Sequence, residues 1–369
     1  MRYPITNAAL DAGDIAIIGR KGSGKTYAAK GLVERLIKRG RRVVVIDPMS
    51  IWYGLRHGAT HDDVGLPVLV IGGEHADLPF PATDDDAARQ IARFILATDV
   101  SVVVDVGDIR TPDNLSFVAA LINELYETHK SEQPITVVLE EADIWAPQLA
   151  RSKQDAAVLR EVDTLVRRGR RRGFRVFTIT QRPAALAKNI LSQFDTLAAL
   201  SLPGLHDRKA VRDWLEGVTT EALDVFNTLP ALDVGEAWIW TPHGRRLTRD
   251  RFPLITTLDT SSTPTRSDRR VSPGALSPAK LQALAQAFQG APSGSPRHRR
   301  HAAPTVAGLA IIALRHQLRI TQAELAEKIG SEQKSISRME SGATFVSTRI
   351  LEKIAEATGH DLLVTFRRK

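Results

Sequence analysis

An apolar run, "DIAIIG" (14–19), leads into Gly19-Arg20-Lys21-Gly22-Ser23-Gly24-Lys25-Thr26, and a helical pattern, "KTYAAKGLVERLIKRG", follows at once. The spacing is GxxxxGK[S/T]. Glycines let the backbone wrap tightly, so that successive N–H groups point at one anion, and the start of the following helix adds positive potential. Strand, glycine loop and helix in that order demand a buried strand to carry the loop. The chain therefore has to build an α/β layer around it.

The remaining sequence supplies that layer. "RRVVVID" (41–47), "LPVLVIGG" (66–73), "SVVVDVG" (101–107), "ITVVLEEA" (135–142), "RVFTITQ" (175–181) and "TLAALSL" (196–202) are continuous apolar runs without alternation. A sheet covered on both faces requires such runs. Helical patterns at 24–38, 85–97, 113–128, 155–171 and 206–216 lie between them, which predicts a mostly parallel sheet. "EAWIWTP" (236–242) and 246–256 would add edge strands.

A phosphate cradle of this kind predicts ATP with Mg²⁺ as cofactors. Gly19, Gly22, Ser23, Gly24, Lys25, Thr26 and Tyr27 are the expected nucleotide-binding stretch. Lys25 would reach the β/γ-phosphates, and the Thr26 hydroxyl would ligate Mg²⁺. The other half of such a site is a carboxylate at the end of a buried strand. "ITVVLEEAD" offers Glu140 for the metal shell and Glu141 to polarise the attacking water. A second acidic strand end, with Asp105 and Asp108, competes for that role. Gln181, closing another apolar run, could sense the γ-phosphate. Before it lies "LVRRGRRRG" (165–173), five arginines in a short run. Such a run is usually a solvated helix face. Its other reading is an arginine that reaches the ATP of a neighbouring subunit and stabilises transition-state charge.

With these blocks in view, residues from about 14 to 260 resemble the HerA/FtsK-type P-loop ATPases, particularly the bacterial HerA-like group. "VVVIDPMSIWYGLR", "LEEADIWAPQ", "RRGRRRGFRVFTITQRPAAL", "LSQFD" and "HDRKAVRDW" are similar to that group's blocks in the same order. The resemblance implies a RecA-like core, a homo-oligomeric ring (usually a hexamer) and ATP-driven movement of double-stranded DNA. It matches Lys25 and Thr26 to the P-loop pair, Glu141 to the catalytic Glu and Gln181 to the sensor Gln. Arg170 aligns with the arginine of the "GR-x-x-G" element that acts across the subunit interface. Glu140 stands where the family usually has Asp. Full-length relatives dock a nuclease through an N-terminal β-barrel, for which a P-loop beginning at Gly19 leaves no room. The resemblance implies a nuclease or other effector partner, with docking through that barrel not expected.

After about residue 260 the texture changes. Residues 261–304 are rich in Pro, Ser and Gly around a short helical stretch (279–288) and carry seven Arg/Lys against the single Asp268. Residues 305–369 hold ten Arg/Lys against seven Asp/Glu, so the part behind residue 260 carries +9 and residues 1–260 carry −1 of the net +8. That distribution suits a tail that meets an anionic polymer. "RITQAELAEKIGSEQKSISRMESG" (319–342) is similar to a Cro/repressor-type (XRE) helix-turn-helix. Ala323, Leu325, Ala326, Ile329, Ile336 and Met339 give the apolar spacing, and Gly330 the turn. Gln322 would contact phosphate. Gln333, Lys334, Ser337 and Arg338, with Glu332, would face the major groove from the second helix. "HDLLVTFRRK" at the end reads as a short strand.

The expected domains are thus a P-loop ATPase (1–260), a basic linker (261–304) and a small all-α helix-turn-helix domain (305–369). There is no cysteine, which excludes disulfides and thiolate metal sites, and "HRRH" (298–301) lacks partner ligands nearby. No apolar run approaches membrane-span length and the start has no apolar signal core, so a cytoplasmic setting away from membranes is expected. Two functions compete. One is a DNA translocase or helicase-like motor recruited by its tail, of which packaging and transfer ATPases are variants. The other is an ATP-switched transcriptional regulator without translocation. The complete acidic and arginine set favours the motor, since a pure switch has no need of Glu141.

Overall fold

β-Branched runs buried on both faces decide the architecture. The strands are β1 (Ile15–Ile18), β2 (Arg42–Asp47), β3 (Val68–Ile71), β4 (Ser101–Asp105), β5 (Ile135–Leu139), β6 (Phe174–Thr180), β7 (Thr196–Leu200), β8 (Glu236–Thr241) and β9 (Arg246–Arg251). They form one sheet in the order β3-β4-β2-β5-β6-β1-β7-β8-β9. The first seven are parallel, and β8 and β9 pair antiparallel at one edge. The computed structural model describes residues 3–60, 64–111, 113–130, 133–242, 245–261, 275–291, 320–340 and 346–362, with single positions between 307 and 318.

Register puts Val45 beside Val103 on one side and Val138 on the other. That face packs on the helix after the P-loop, α2 (Lys25–Lys38), through Ala28, Leu32 and Val33, and on α1 (Asn7–Ala12). The alternate residues, Val44, Ile46, Val104 and Val137, meet α3 (Asp85–Ala97), α4 (Asp113–Thr128) and, after the turn α5 (Ala142–Trp145), α6 (Lys153–Arg168). Further along the chain come α7 (Lys188–Leu191), α8 (Leu205–Glu216) and α9 (Ala222–Thr228).

Several elements differ from their sequence reading. β5 stops at Leu139, because Glu141 takes a left-handed backbone (φ 48°) and starts α5. α6 begins at a capping box of Ser152 and Asp155 and ends before a 3₁₀ turn, Gly169–Arg172. The expected strand 246–256 pairs only as far as Arg251. Residues 252–260 then run as a strap along α2, where Thr257 bridges Gly58. Most of the expected linker lies outside the described residues. Its helix, α10 (Pro278–Gly290), packs on α3, with Phe288 edge-on to Phe94 at a centroid distance of 5.0 Å. The first compact unit accordingly runs from Met1 to Ser293 and the second from Gly294 to Lys369.

In the second unit, α11 (Gln322–Lys328) starts at a capping box of Thr321 and Glu324. Gly330 (φ 59°) makes the turn into α12 (Gln333–Glu340), and α13 (Thr348–Thr358) completes the packing. Ile311, Leu325, Ala326, Ile329, Ile336, Met339, Val346 and Ile354 form its core. Ala323, expected there, is exposed, since it lies on the outer face of α11. The "HRRH" cluster lies outside the described residues, as do residues 363–369 of the expected terminal strand, and His360–Leu362 are not in a strand.

Candidate functional site

The glycine loop hangs from the carboxyl ends of the central strands. The Gly19 N–H donates to the Thr180 carbonyl at the end of β6 (3.2 Å), and Arg20 to that of Ser201 just past β7 (2.9 Å). Gly24 is left-handed (φ 91°) as it enters α2, and a Cβ there would sit 3.2 Å from the Gly235 backbone nitrogen. At Gly19 a Cβ would meet the Ser23 Oγ at 2.4 Å. Only glycine fits either place. Ser23 is fully buried, and its Oγ has no hydrogen-bond partner. An orphaned hydroxyl beneath a tightly wound loop is what an anion in the loop would satisfy. Tyr27 faces the strap, its hydroxyl accepting from the Ile255 N–H (3.0 Å).

Lys25 and Thr26 each meet one of the two acids that follow β5. The Thr26 hydroxyl donates to Glu140 Oε1 (3.0 Å), and Lys25 Nζ lies 3.6 Å from Glu141 Oε1. The strand order makes this contact: β5 is two places from β1, with β6 between. β4 is two places further, and Asp105 there accepts from Ser50 Oγ (2.8 Å) and the Gly107 N–H (3.0 Å) instead. Asp108 is exposed. Burial pushes the Glu140 carboxyl up to about 8, with Asp47 and Glu141 pushing the same way and Lys25 against them. Glu141 is also raised by burial, opposed by Lys25 and by the backbone N–H of Gln181. Thr180 donates to Asp143 of α5 (2.6 Å), tying the ends of β5 and β6 together beside Gln181.

Sequence reasoning missed three residues here. Asp47, closing β2, is fully buried and accepts from the N–H groups of Met49 (2.9 Å), Ile51 (2.8 Å) and Trp52 (2.8 Å). Burial pushes it up to about 6. The folded 47–52 turn presents the Trp52 indole N–H to Glu140 Oε2 (3.0 Å). Lys30 on α2 is wholly buried. The signal for Asp47 was an apolar run closed by an acid, the same signal that marked Glu140. Trp52 and Lys30 carried none.

The donor set suits Mg²⁺. Thr26 and Glu140 offer hard oxygens side by side, and phosphate oxygens and water ordinarily complete such a shell. Among the described residues no three His, Asp or Glu side chains gather to hold a metal without a nucleotide.

Arg170 stands at the opposite end of the strands, ahead of the start of β6. Gly173, three residues on, accepts from the Ile135 N–H at the start of β5. Arg170 lines an open basic cavity of about 510 Å³ with His129, Lys130, Arg171, Arg172 and Arg175. It cannot reach the Lys25 of its own chain, because the full length of the strands separates them. In the second unit Gln333 is exposed at the start of α12 and Gln322 is half-buried at the start of α11. The side chains of Lys334, Ser337 and Arg338 lie outside the described residues.

With this geometry in place, the comparisons are specific. Residues 12–191 match the model of the helicase HerA central domain, and residues 311–362 match a helix-turn-helix model. Residues 12–191 carry a HerA-type central domain, and residues 311–362 a helix-turn-helix. The DNA double-strand break repair helicase HerA of Pyrococcus furiosus is 34% identical over 106 residues, 29% of this chain and 18% of that one. The chain spans about a fifth of the length of the curated relatives it matches. Among solved structures, the bacterial conjugative coupling protein TrwB overlays with a TM-score of 0.47 at 10% identity, covering 69% of this chain and 87% of that one. The genome packaging NTPase B204 of Sulfolobus turreted icosahedral virus 2, in complex with AMP, gives 0.42 at 15%, covering 66% and 98%. No described helix of the chain is long and apolar enough to cross a membrane.

Proposed function

We propose that the chain is an ATP-hydrolysing motor acting on double-stranded DNA, assembled as a homo-oligomeric ring, a hexamer, and brought to DNA by its helix-turn-helix. One observation carries this reading: both P-loop side chains meet consecutive acids at the carboxyl end of the central strands, while Arg170 is displayed at their amino end. A site whose arginine lies a strand length away needs a second subunit to complete it.

In this reading the backbone N–H groups from Gly19 to Gly24 cradle the polyphosphate, and Ser23 gains a partner. Lys25 leaves Glu141 for the β/γ-phosphates, so nucleotide arrival frees the Glu141 carboxylate. Thr26 and Glu140 would hold Mg²⁺, whose charge offsets that building up on the phosphates. Glu141 orients the attacking water and takes its proton, Gln181 monitors the γ-phosphate, and Arg170 of one subunit stabilises charge at the site of the next. α12 enters the major groove with Gln333, Lys334, Ser337 and Arg338, while Gln322 meets the phosphate backbone. A nuclease or other effector would use the pulled DNA. A chain without cysteine suits the reducing cytoplasm.

The test is ATPase activity of wild type and Lys25→Ala, with and without duplex DNA. Wild type should hydrolyse ATP faster on DNA, and Lys25→Ala should not hydrolyse it. An ATPase indifferent to duplex DNA, beside a tail that binds an operator tightly, would support the regulator instead.

A further inference from the structure

Lys30 and Glu34 lie one turn apart on the same face of α2 and are 0% and 4% exposed. Residues so placed commonly pair with each other. These two grip the strap instead. Glu34 accepts from the N–H and hydroxyl of Thr257, both at 2.7 Å, and from the N–H and hydroxyl of Thr256, both at 2.9 Å. Lys30 Nζ donates to Thr260 Oγ1 at 3.1 Å and lies 3.7 Å from Asp259. The Thr260 hydroxyl, its lone pair taken by the ammonium, gives its own proton to the Ile51 carbonyl. The next residue is Trp52, fully buried, whose indole holds Glu140.

A wholly buried lysine is rare unless its charge is used. Here it sits at one end of a continuous chain of contacts, from Lys30 through Thr260, Ile51 and Trp52 to Glu140 and Thr26. We propose that Lys30 and Thr260 are positioning residues of the ATP site: they fix the Ile51–Trp52 turn, and through the Trp52 indole they set the direction of the Glu140 carboxylate toward Thr26. The inference rests on the reading that Thr26 and Glu140 share Mg²⁺. Glu140 follows the last residue of β5 and has two side-chain donors, Thr26 on one oxygen and Trp52 on the other. Without the second donor nothing in the described contacts stops the carboxyl from turning away. A hydroxyl is needed at 260 because it must accept from an ammonium and donate to a carbonyl at once.

The test uses full-length Thr260→Val, Thr260→Ser and Trp52→Phe, measuring kcat, KM for ATP, the Mg²⁺ concentration for half-maximal rate, and Tm. Thr260→Val should lower kcat about ten-fold and raise the Mg²⁺ requirement about five-fold, with KM for ATP within about two-fold of wild type. Thr260→Ser, which keeps the hydroxyl, should restore both. Trp52→Phe keeps an aromatic side chain, smaller than the indole, and removes the donor, so it should repeat the valine result, and it decides the matter if the valine variant fails to fold. Wild-type kcat and Mg²⁺ dependence in Trp52→Phe, or a serine variant as impaired as the valine one, would overturn the proposal. Lys25→Ala run in parallel separates the two levels. If it still hydrolyses ATP, the site reading itself fails. If it is inactive while Thr260→Val and Trp52→Phe behave as wild type, only the positioning role fails.

Discussion

Glu141 is one of three non-glycine residues with positive φ among those described, and it sits beside Lys25. A left-handed glutamate costs roughly 1 kcal/mol or more, and such strain persists where the surroundings demand it. Glu141→Gly should therefore stabilise the fold, raising Tm, while hydrolysis falls by orders of magnitude. Glu141→Gln should bind ATP as wild type does and hydrolyse it as slowly as the glycine variant. A glycine variant that lowers Tm would show that the backbone there is unstrained. At the amino end of the strands, burial pushes Asp14 up to about 6, the Val176 N–H opposing it and Asp195 adding to it. Below pH ~4 the carboxyl is protonated in both folded and unfolded chains. Between about 4 and 6 the unfolded chain releases the proton that the folded chain keeps, so stability falls as pH rises, then levels off. The loss is at most about 3 kcal/mol. Asp14→Asn should remove that part of the slope and be the more stable protein at pH 7. Thermal unfolding of both proteins across pH 4–7 checks this, and parallel curves would refute it.

The strap is the element that the sequence hid best. Continuous apolar runs announced β1 to β7, while "RLTRDRFPLIT" reads as one unbroken edge strand. Nothing in "FPLITTLDT" says that its hydroxyls end on a helix more than two hundred residues earlier. Glu34 reads in the sequence as an exposed helix acid, yet it takes the donors of two threonines. Glu34→Ala would leave the N–H and hydroxyl of Thr257 buried and unpaired, at a cost of about 3 kcal/mol. Differential scanning calorimetry should show a Tm several degrees lower, and limited proteolysis should cut first within 252–260. A variant that melts with wild type would mean that the strap is held elsewhere. The acids of the site were legible for a simpler reason. Glu140 and Glu141 close an apolar run, and two charges cannot stay inside a sheet without a task.

At the scale of the molecule, the body and tail divide their charge unevenly. Residues 294–369 hold thirteen Arg/Lys against seven Asp/Glu. Removing 294–369 should weaken duplex DNA binding and flatten its salt dependence, because fewer counterions are released. Basal ATPase and Tm should stay near wild type, since the cut falls between the two compact units. Cutting at 261 instead removes α10 and uncovers Phe94, and that protein should melt lower and aggregate. A truncated body that binds duplex DNA as tightly as the full chain, with the same salt slope, would refute this division. The ring has its own test. Arg170→Ala should bind nucleotide without hydrolysing it. Mixing it with Glu141→Gln should restore part of the turnover, at interfaces where the intact groups meet. No recovery at any ratio, with a monomeric mass in ATP, would sink the ring.

The sequence by itself determined the seven parallel strands, where the glycine loop and the two acids that follow β5 lie, and that a helix-turn-helix follows. Each of these is written in a window of a few to some thirty residues, as an apolar run, a glycine spacing or a helical period. Tertiary structure alone decided which acid meets Thr26, because that depends on the order of strands in the sheet. It also decided that Asp47, Trp52 and Lys30 stand behind the site, and that Arg170 faces away from it. The bonds that build the site join residues 88, 114 and 230 positions apart. Partners at such separations leave no periodic trace in one sequence. Only the packing of the sheet brings them within reach of a hydrogen bond.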